Sequence, residues 1–509
     1  MPRTQKKIAV VMTHGMGEQV PMETLRGFVE AAWVNNSAAH WSDTPRDEDA
    51  RDIWFMPGEI AGSFELRRIT TRHTDSRTED PTTKRKAKGP RVDFFEFYWA
   101  DLAEGTTVHD VVDWLVILLF RSRREVPEGL MGTWIVLWIA AIIVALLSIA
   151  AVVPFPGVWW HFLFVVLAAA GGYAMQSIIS PYLGDVARYV RAEPRNIALR
   201  RTIRDRGVKL LQDIHDSGEY ERVVIVAHSL GTIIAYDIVS LFWTKQREAA
   251  AVSEGGPVFV KLREVEDAAR ALEKATAADH DAKFLAYREA QRAFRLTLRN
   301  GGEDGTGPHR TPKQEWLISD LVTLGSPLTH AAFLLSRDAH DLKDKFEHFL
   351  FPTNCPQFQL IQTEQMQKIV ARPTTLRKEI LGNEDGLFSY FLGKIWFLHH
   401  AAPFAAVRWT NIYDPHRRIG QGDLISGPVS GPVAGQPSGP FTPRFGRGIL
   451  DINLKILRGQ STEFSHTLYW TPTGNDPQDL HLTALLNAID LLDTPDSELW
   501  KDMLPKLKQ

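Results

Sequence analysis

Short, uninterrupted apolar runs recur along the chain and predict buried β-strands. The runs are Lys7–Thr13, Val92–Trp99, Arg222–Ala227, Leu317–Leu324, Val407–Tyr413 and Ile449–Leu457. Segments with helical spacing and many charges lie between them, at Arg188–Ser217 and Leu241–Pro312. Arg46–Pro90 is largely polar and charged, and Thr70–Pro90 within it is expected to form a mobile loop. Strands that alternate with helices predict a mostly parallel α/β sheet, in which ligands bind beyond the carboxyl ends of the strands.

One long tract departs from this pattern. Residues 129–184 contain no Asp, Glu, Lys or Arg, and Thr133–Val153 is long enough to cross a bilayer of ~30 Å as a helix. The helix-breaking sequence "PFPG" follows, and Val158–Met175 forms a second apolar stretch. The tract therefore predicts a transmembrane helical hairpin. The alternative is a buried helical hairpin in a soluble core, although such helices rarely stay uncharged on every face.

Composition and charge narrow the classes of function. The 509 residues are 44% apolar, which suffices for a large core, and the net charge of −3 gives no global field that would attract nucleic acid. The single cysteine, Cys355, excludes an internal disulfide framework and a cysteine-based zinc site, and it suits a reducing compartment. No secretory signal is recognised at the start of the sequence.

Arginines flank the apolar tract on both sides and predict its orientation. Arg121, Arg123 and Arg124 precede it, and Arg188, Arg191 and Arg195 follow it. Because positive residues stay on the cytoplasmic side, both ends of the hairpin are expected to face the cytoplasm. The sequence thus predicts an integral protein of the inner or cytoplasmic membrane, with both termini and the catalytic domain in the cytoplasm.

The third apolar run ends in Ala227-His228-Ser229-Leu230-Gly231. This sequence fits the nucleophile elbow G-x-S-x-G with Ala at its first position, and an apolar helix pattern, Thr232–Phe242, follows at once. A sharp turn between strand and helix raises the serine above the sheet and leaves room only for small side chains two residues before and after. Ser229 is therefore the candidate nucleophile and Gly231 a required glycine.

The first apolar run ends in a glycine-rich loop that carries His14, Gly15, Met16 and Gly17. In this type of sheet, such a loop supplies a backbone N–H to an oxyanion hole, and the glycines allow close approach. The N–H groups of Met16 and Leu230 are the candidate donors. The loop contains no P-loop sequence, and no residue at helical spacing from His14 could share a metal ion with it.

Three sequences together resemble the serine-dependent α/β-hydrolase superfamily, and its lipase-like members in particular. They are "THGMG" at Thr13–Gly17, "HSLG" at His228–Gly231 and "TLGSPL" at Thr323–Leu328. The resemblance covers the sheet but neither the apolar tract nor Leu241–Pro312. It implies an α/β-hydrolase fold, hydrolysis of an ester, thioester or amide, most often in a lipid, and no cofactor or metal.

The base and the acid of a catalytic triad are sought after the nucleophile, because the chain order in this fold is Ser, Asp or Glu, then His. His466 follows the last predicted strand and is the best base, whereas His481 falls in a helix pattern and is expected to be structural. Asp423, in a glycine-flanked turn, is slightly favoured as the acid over Asp414, which lies closer to a strand end. His399 and His400 precede both acids and violate the order.

These patterns divide the chain into five parts. Three parts form the hydrolase core: 1–120 with the oxyanion loop, 185–241 with the nucleophile elbow, and 313–509 with the acid and the histidine. Between them lie the membrane hairpin, 129–184, and a helical cap that could be a lid, 242–312. The aromatic stretch Gly386–Val407 is a second candidate lid.

The sequence-based hypothesis is a membrane-anchored serine esterase or lipase that acts on membrane lipids, as a phospholipase, lysophospholipase or acylglycerol lipase. Its expected partners are an acyl-ester substrate and the bilayer. The alternatives are a thioesterase or protein deacylase that uses the same residues, and a non-catalytic membrane scaffold on a hydrolase fold.

Overall fold

A computed structural model defines the arrangement of the apolar runs. The structure describes residues 6–16, 20–36, 39–40, 52–57, 67–79, 86–103, 116, 119–126, 128–152, 166, 189–190, 194–247, 251–299, 315–354, 387–392, 395–415, 422–423, 425–431, 445–458, 465–472 and 480–508.

Eight strands form one mixed sheet that is mostly parallel. Its strands are β1 (Lys7–Thr13), β2 (Ile53–Met56), β3 (Arg68–Glu79), β4 (Lys86–Phe97), β5 (Tyr220–His228), β7 (Ile318–Leu324), β10 (Arg408–Tyr413) and β11 (Leu450–Asn453), and the short strands β6, β8 and β9 are described below. Their order across the sheet is β11-β10-β7-β5-β1-β4-β3-β2. All neighbours from β11 to β4 run parallel, whereas β3 pairs in antiparallel fashion with both β4 and β2. The predicted α/β class is confirmed.

Two strands lie where the sequence predicted a mobile loop. Most of β3 and the first residues of β4 fall within 70–90, and β3 pairs with β2 to form the antiparallel edge of the sheet. The pairing of β3 with β4 shifts register after Thr70 and again after His73 and Asp75. Most residues of β3 and of the start of β4 are polar or charged. The irregular register between these two strands also breaks the two-residue alternation by which strands are recognised. The loop prediction for this stretch was wrong.

Helices flank the sheet. Those of the described residues are α1 (Glu23–Val29), α2 (Glu128–Val152), α3 (Pro194–Asp216), α4 (Leu230–Arg247), α5 (Pro257–Glu273), α6 (His280–Arg299), α7 (Ala331–Leu334), α8 (Ala339–Glu347), α9 (Leu454–Arg458), α10 (Leu480–Ile489) and α11 (Asp496–Leu499). α4 follows β5 directly, which confirms the predicted strand-to-helix junction. The charged segment 188–217 contains α3, and the last predicted strand is shorter than expected, since 454–458 is helical.

A buried ionic cluster joins the amino ends of three neighbouring strands. Asp320 of β7 accepts hydrogen bonds from Arg222 of β5 at 2.6 Å and from Arg408 of β10 at 2.8 Å. Arg408 also binds Asp496 at 2.8 Å, and Arg222 donates to the backbone carbonyl of Asp490. All five residues are nearly inaccessible to solvent. Removal of one partner from such a cluster leaves a buried charge uncompensated, so the strands are held firmly in register at this end.

The two candidate lids pack together as one unit. Strand β6 (Ala251–Val252) pairs with β9 (Ile395–Leu398), which in turn pairs with β8 (Ser389–Leu392), so the helical insertion and the aromatic stretch share a small sheet. On α6, Arg288 donates to the Trp409 carbonyl at 3.0 Å and to Thr410 Oγ1 at 3.2 Å, in the amino half of β10. These contacts make α6 a supporting layer for the end of the sheet that is opposite to the carboxyl ends, which disfavours the lid interpretation of 242–312.

The predicted transmembrane hairpin, residues 129–184, is not supported by the structure. Helix α2 coincides with its first apolar stretch. Among the residues that the structure describes, none of the helices meets the length and hydropathy required to span a membrane. The second predicted stretch, 158–175, lies outside the described residues except for Val166.

Candidate active site

Ser229 occupies a strained turn at the carboxyl end of β5. Its φ is 53°, in the left-handed region that costs a non-glycine residue roughly 1–2 kcal/mol. The Ser229 N–H donates to the Leu324 carbonyl of the neighbouring strand at 2.9 Å, which holds the turn on the sheet. A Cβ atom at Gly231 would lie 2.3 Å from the His14 carbonyl oxygen, so glycine is required there, as the sequence predicted. Strain of this kind is concentrated at functional sites.

A continuous chain of hydrogen bonds joins Ser229 to His466 and Asp423, the candidate triad. The distance from His466 Nε2 to Ser229 Oγ is 2.9 Å, and that from His466 Nδ1 to Asp423 Oδ2 is also 2.9 Å. Because a carboxylate only accepts, Nδ1 carries the proton in this arrangement, and Nε2 is free to accept the serine proton. The side chain of His466 is 29% exposed, whereas Ser229 and Asp423 are buried.

The carboxylate of Asp423 is stabilised in its charged form. Burial by itself raises the pKa of this group, but the hydrogen bond and charge of His466 and the Tyr469 hydroxyl outweigh burial and hold the pKa below its ordinary value. Tyr469 donates to Oδ2 at 2.7 Å, and the Ile425 N–H donates to Oδ1 at 3.1 Å. Asp423 is therefore ionised and oriented at neutral pH.

Asp414, the alternative acid, lies beside this array but not in it. Its carbonyl accepts from the Asp423 N–H at 2.9 Å, and its carboxylate receives a hydrogen bond from Arg458 at 3.4 Å. Asp414 is fully buried. The structure thus pairs Asp423 with His466 and gives Asp414 a charged partner elsewhere.

The residue that follows β7, Gly325, has no room for a side chain. Its φ is +61°, and a Cβ atom there would lie 2.8 Å from Asp423 Oδ2, 2.8 Å from Tyr469 Cε2 and 3.3 Å from His466 Nδ1. The next residue, Ser326, bonds Thr232 of α4 through their hydroxyl groups at 2.8 Å. The "GSPL" sequence therefore makes room for the acid and the base, and it ties the serine turn to the neighbouring strand.

The glycine-rich loop after β1 lies directly against the serine turn. A Cβ atom at Gly15 would be 3.0 Å from Ser229 Cβ and 3.1 Å from His228 Nδ1. Met16 is described and lies next to Gly15 in this loop, whereas Gly17 lies outside the described residues. Leu230 is the first residue of α4, where backbone N–H groups lack a partner within the helix. The two candidate oxyanion donors thus belong to segments that meet at Ser229.

His14 fixes the start of this loop as a neutral side chain. Its Nδ1 donates to the Gly15 carbonyl at 2.8 Å, and its Nε2 accepts from the Trp99 N–H at 3.1 Å. The ring stacks on Trp99 with centroids 5.0 Å apart. Burial lowers the pKa of His14 to about 4, against the opposing effects of the Gly15 hydrogen bond and the charge of Asp101.

Glu96 holds the far end of the same loop. Its Oε2 accepts from the Met22 N–H at 2.6 Å, and Met22 has a left-handed backbone with φ of 71°. Burial raises the pKa of Glu96 to about 7, although the hydrogen bond from Met22 acts in the opposite direction. Burial thus favours the neutral form of this carboxyl group, and no sequence pattern around Glu96 indicates it.

His228 is a second residue that the sequence reasoning missed. Its Nε2 lies 2.6 Å from the backbone carbonyl of His466, to which it donates, so the residue before the nucleophile holds the loop that carries the base. Burial, followed by the proximity of His466, lowers the pKa of His228 to about 3. The ring meets Trp470 edge to face at 5.1 Å. His228 thus remains neutral and serves as a fixed donor.

The other candidate histidines, His481 and His399, lie in environments separate from the candidate triad. His481, in α10, is buried and hydrogen-bonds the Thr471 carbonyl at 2.9 Å, which agrees with the predicted structural role. His399 accepts from the Ala401 N–H at 3.0 Å, and burial followed by the neighbouring His400 lowers its pKa to about 3. Within the described part of the chain, no group of three or more His, Cys, Asp or Glu side chains could hold a metal ion.

Comparison of this chain with family models, with curated proteins and with solved structures finds no match.

Proposed function

We propose that this protein is a serine hydrolase that cleaves carboxylic esters through an acyl-enzyme. The observation that carries the proposal is the hydrogen-bonded chain Ser229–His466–Asp423, with two contacts of 2.9 Å, which begins at a serine with φ of 53°. A nucleophile, a base and an orienting acid in this geometry are the requirement for acyl transfer.

In the proposed reaction, Ser229 Oγ attacks the acyl carbonyl while His466 Nε2 takes its proton. His466 then gives that proton to the leaving alcohol, and water repeats the sequence to release the acid. Asp423 holds the Nδ1–H tautomer and stabilises the imidazolium that forms. Its role is supported by its burial and by its lowered pKa, which keeps it charged against the cost of burial, with His466 and Tyr469 as donors.

The negative charge that develops on the carbonyl oxygen requires donors, and we assign these to the backbone N–H groups of Met16 and Leu230. The close approach of Gly15 to Ser229 supports this assignment, because the loop and the start of α4 then border the same space. Preformed backbone donors of this kind typically contribute on the order of 10²–10³ in rate.

The strand order supports membership of the α/β-hydrolase superfamily, which the sequence motifs suggested. The glycine-rich loop follows β1, the serine follows β5, the acid follows β10 and the histidine follows β11, and β5 is flanked by β1 and β7. All four groups thus lie beyond the carboxyl ends of parallel strands, where such sheets bind their ligands. The chain order of serine, acid and histidine is that of the superfamily.

We further propose that the substrate is a membrane lipid and that α2 attaches the enzyme to the bilayer, with the catalytic domain on the cytoplasmic side. The support is a set of aliphatic side chains on α2 that are between 46% and 60% exposed: Ile135, Ile139, Ile142, Ile143, Leu146 and Ile149. Solvent-exposed aliphatic surface of this extent is unfavourable in water and favourable in lipid.

A serine-reactive fluorophosphonate probe and a series of p-nitrophenyl esters test the activity. Ser229→Ala should abolish both labelling and hydrolysis, because loss of the nucleophile costs several orders of magnitude in rate. Ser240→Ala is the matched control: its hydroxyl bonds the Tyr236 carbonyl within α4, and it should label as the wild type does. Turnover by Ser229→Ala at the wild-type rate would refute the proposed nucleophile.

Membrane attachment is tested separately. Wild-type protein should remain with membranes through a carbonate wash, whereas the double variant Ile142→Lys, Leu146→Lys should be released while still hydrolysing soluble esters. Val260→Lys adds a charge at a 46% exposed valine on α5 and should leave attachment unchanged. Release of intact wild-type protein by the wash would refute membrane attachment and leave the chemistry untouched.

A further inference from the structure

One oxygen atom of Asp423 receives two hydrogen bonds. Oδ2 accepts from His466 Nδ1 at 2.9 Å and from the Tyr469 hydroxyl at 2.7 Å. The Tyr469 hydroxyl also lies 3.2 Å from Ser426 Oγ. Tyr469 is 2% exposed, and burial, followed by the charge of Asp423, raises its pKa well above the ordinary value, so that it remains a neutral donor at every pH at which an esterase works.

The two donors come from one turn of the chain. The residues Ser465–Thr467 form a 3-10 turn, and the Leu468 N–H donates to the Ser465 carbonyl at 3.0 Å. Tyr469 lies two residues after this turn, and its side chain and that of His466 reach the same oxygen, Asp423 Oδ2. The base and the phenol therefore reach the acid as a unit.

We propose that Tyr469 is a positioning residue of the catalytic triad, which fixes the orientation of the Asp423 carboxylate and shares its negative charge with His466. This inference rests on the proposed function. The phenol forms no hydrogen bond with Ser229 or His466 among the described contacts, so the effect of its hydroxyl on the base passes through Asp423.

Two consequences follow from the shared oxygen. Without the hydroxyl, Asp423 loses one of the donors that fix its rotation, and we expect kcat/KM to fall roughly tenfold, as for outer hydrogen-bond partners of other sites. The charge of Asp423 would also act more fully on His466 and favour its protonated form. The acid limb of the pH–rate profile, which reports protonation of the base, should therefore move to higher pH.

The pH profile separates this role from a structural one. In Tyr469→Phe the ring remains, including the Cε2 atom that packs against Gly325, so the fold should be retained. Tyr287→Phe, on α6, is the matched control, because it also removes a buried hydroxyl. That hydroxyl donates to Asn354 Oδ1 at 2.9 Å. We expect the control to lose thermal stability at an unchanged acid limb, and Tyr469→Phe to shift the limb.

A second variant keeps the hydroxyl. 3-Fluorotyrosine introduced at position 469 by amber suppression is a stronger donor, so it should move the acid limb to lower pH and leave the fold intact. Opposite shifts in the two variants would support the proposal. An acid limb that stays at the wild-type pH in both would overturn it, even if the rates fell.

The outcomes also distinguish this proposal from the function on which it rests. If wild-type protein labels with fluorophosphonate but both Tyr469 variants match it in rate and pH profile, the positioning role is wrong and the hydrolase stands. If the wild type neither labels at Ser229 nor hydrolyses esters, the proposed function fails first.

Discussion

Gly325→Ala adds a single methyl group next to three residues of the candidate site. The new Cβ atom would lie 2.8 Å from Asp423 Oδ2 and 2.8 Å from Tyr469 Cε2, about 0.6 Å short of the 3.4 Å at which ordinary contacts begin. His466 Nδ1, at 3.3 Å, is just inside that limit. The methyl therefore pushes the carboxylate and the phenol, and the contact between Asp423 and His466 cannot keep its length.

The expected loss of folding stability in Gly325→Ala has two contributions. The φ of +61° costs an alanine roughly 1–2 kcal/mol of strain, and the crowding adds about 1–3 kcal/mol. A displacement approaching 1 Å in a catalytic array can lower the rate about 10²-fold. Gly325→Ala should therefore lose far more activity than its loss of stability would suggest.

Gly218→Ala isolates the strain. Gly218 has a φ of +65°, and no atom lies within 4 Å of its hypothetical Cβ, so the substitution carries a similar backbone cost without the collision. Ester hydrolysis and thermal unfolding of both variants are the assays. We expect similar strain in both and a large loss of kcat in Gly325→Ala alone. Gly325→Ala at more than half the wild-type rate, or an equal loss in Gly218→Ala, would refute this reasoning.

The remaining predictions concern three carboxyl groups. Asp423→Asn should give His466 the wrong tautomer and lower kcat by up to ~10⁴, whereas Asp414→Asn should reduce stability more than rate; the reverse ranking in steady-state assays would make Asp414 the acid. Glu96 has its pKa raised from 4.5 to about 7, so it contributes stability that is complete below pH 4.5 and is lost as the pH rises through 7. The free energy of unfolding of Glu96→Gln, measured with denaturant, should therefore gain about 2.5 kcal/mol relative to that of the wild type between pH 5 and pH 8; a constant difference would show that Glu96 does not titrate with folding.

The parallel strands could be predicted because burial on both faces makes them continuous apolar runs. β1, β5, β7 and β10 all lie within one or two residues of their predicted bounds. β3 could not, since most of its residues are polar or charged and its register with β4 is irregular. Nor could the sequence decide that α6 supports β10, because amphipathic spacing shows which face is buried but not what buries it.

The serine turn was predictable because its backbone strain demands small residues at fixed positions. The choice between Asp414 and Asp423 was not, since it depends on Arg458, which reaches Asp414 from 44 residues away. Tyr469 was missed, although its spacing of three residues from His466 was a usable signal. His228 was missed because the elbow pattern leaves the residue before the serine unspecified.

The buried ionic cluster at the amino ends of the strands also bears on the order of synthesis. It brings together residues as far apart as Arg222 and Asp490, separated by 268 positions. A ribosome-bound chain that has reached β10 contains Arg222 and Arg408 but only Asp320 to neutralise them, because the aspartates at 490 and 496 are still to be translated. We therefore expect the nascent sheet to close only after translation of α11, so that the serine gains its activity no earlier than that.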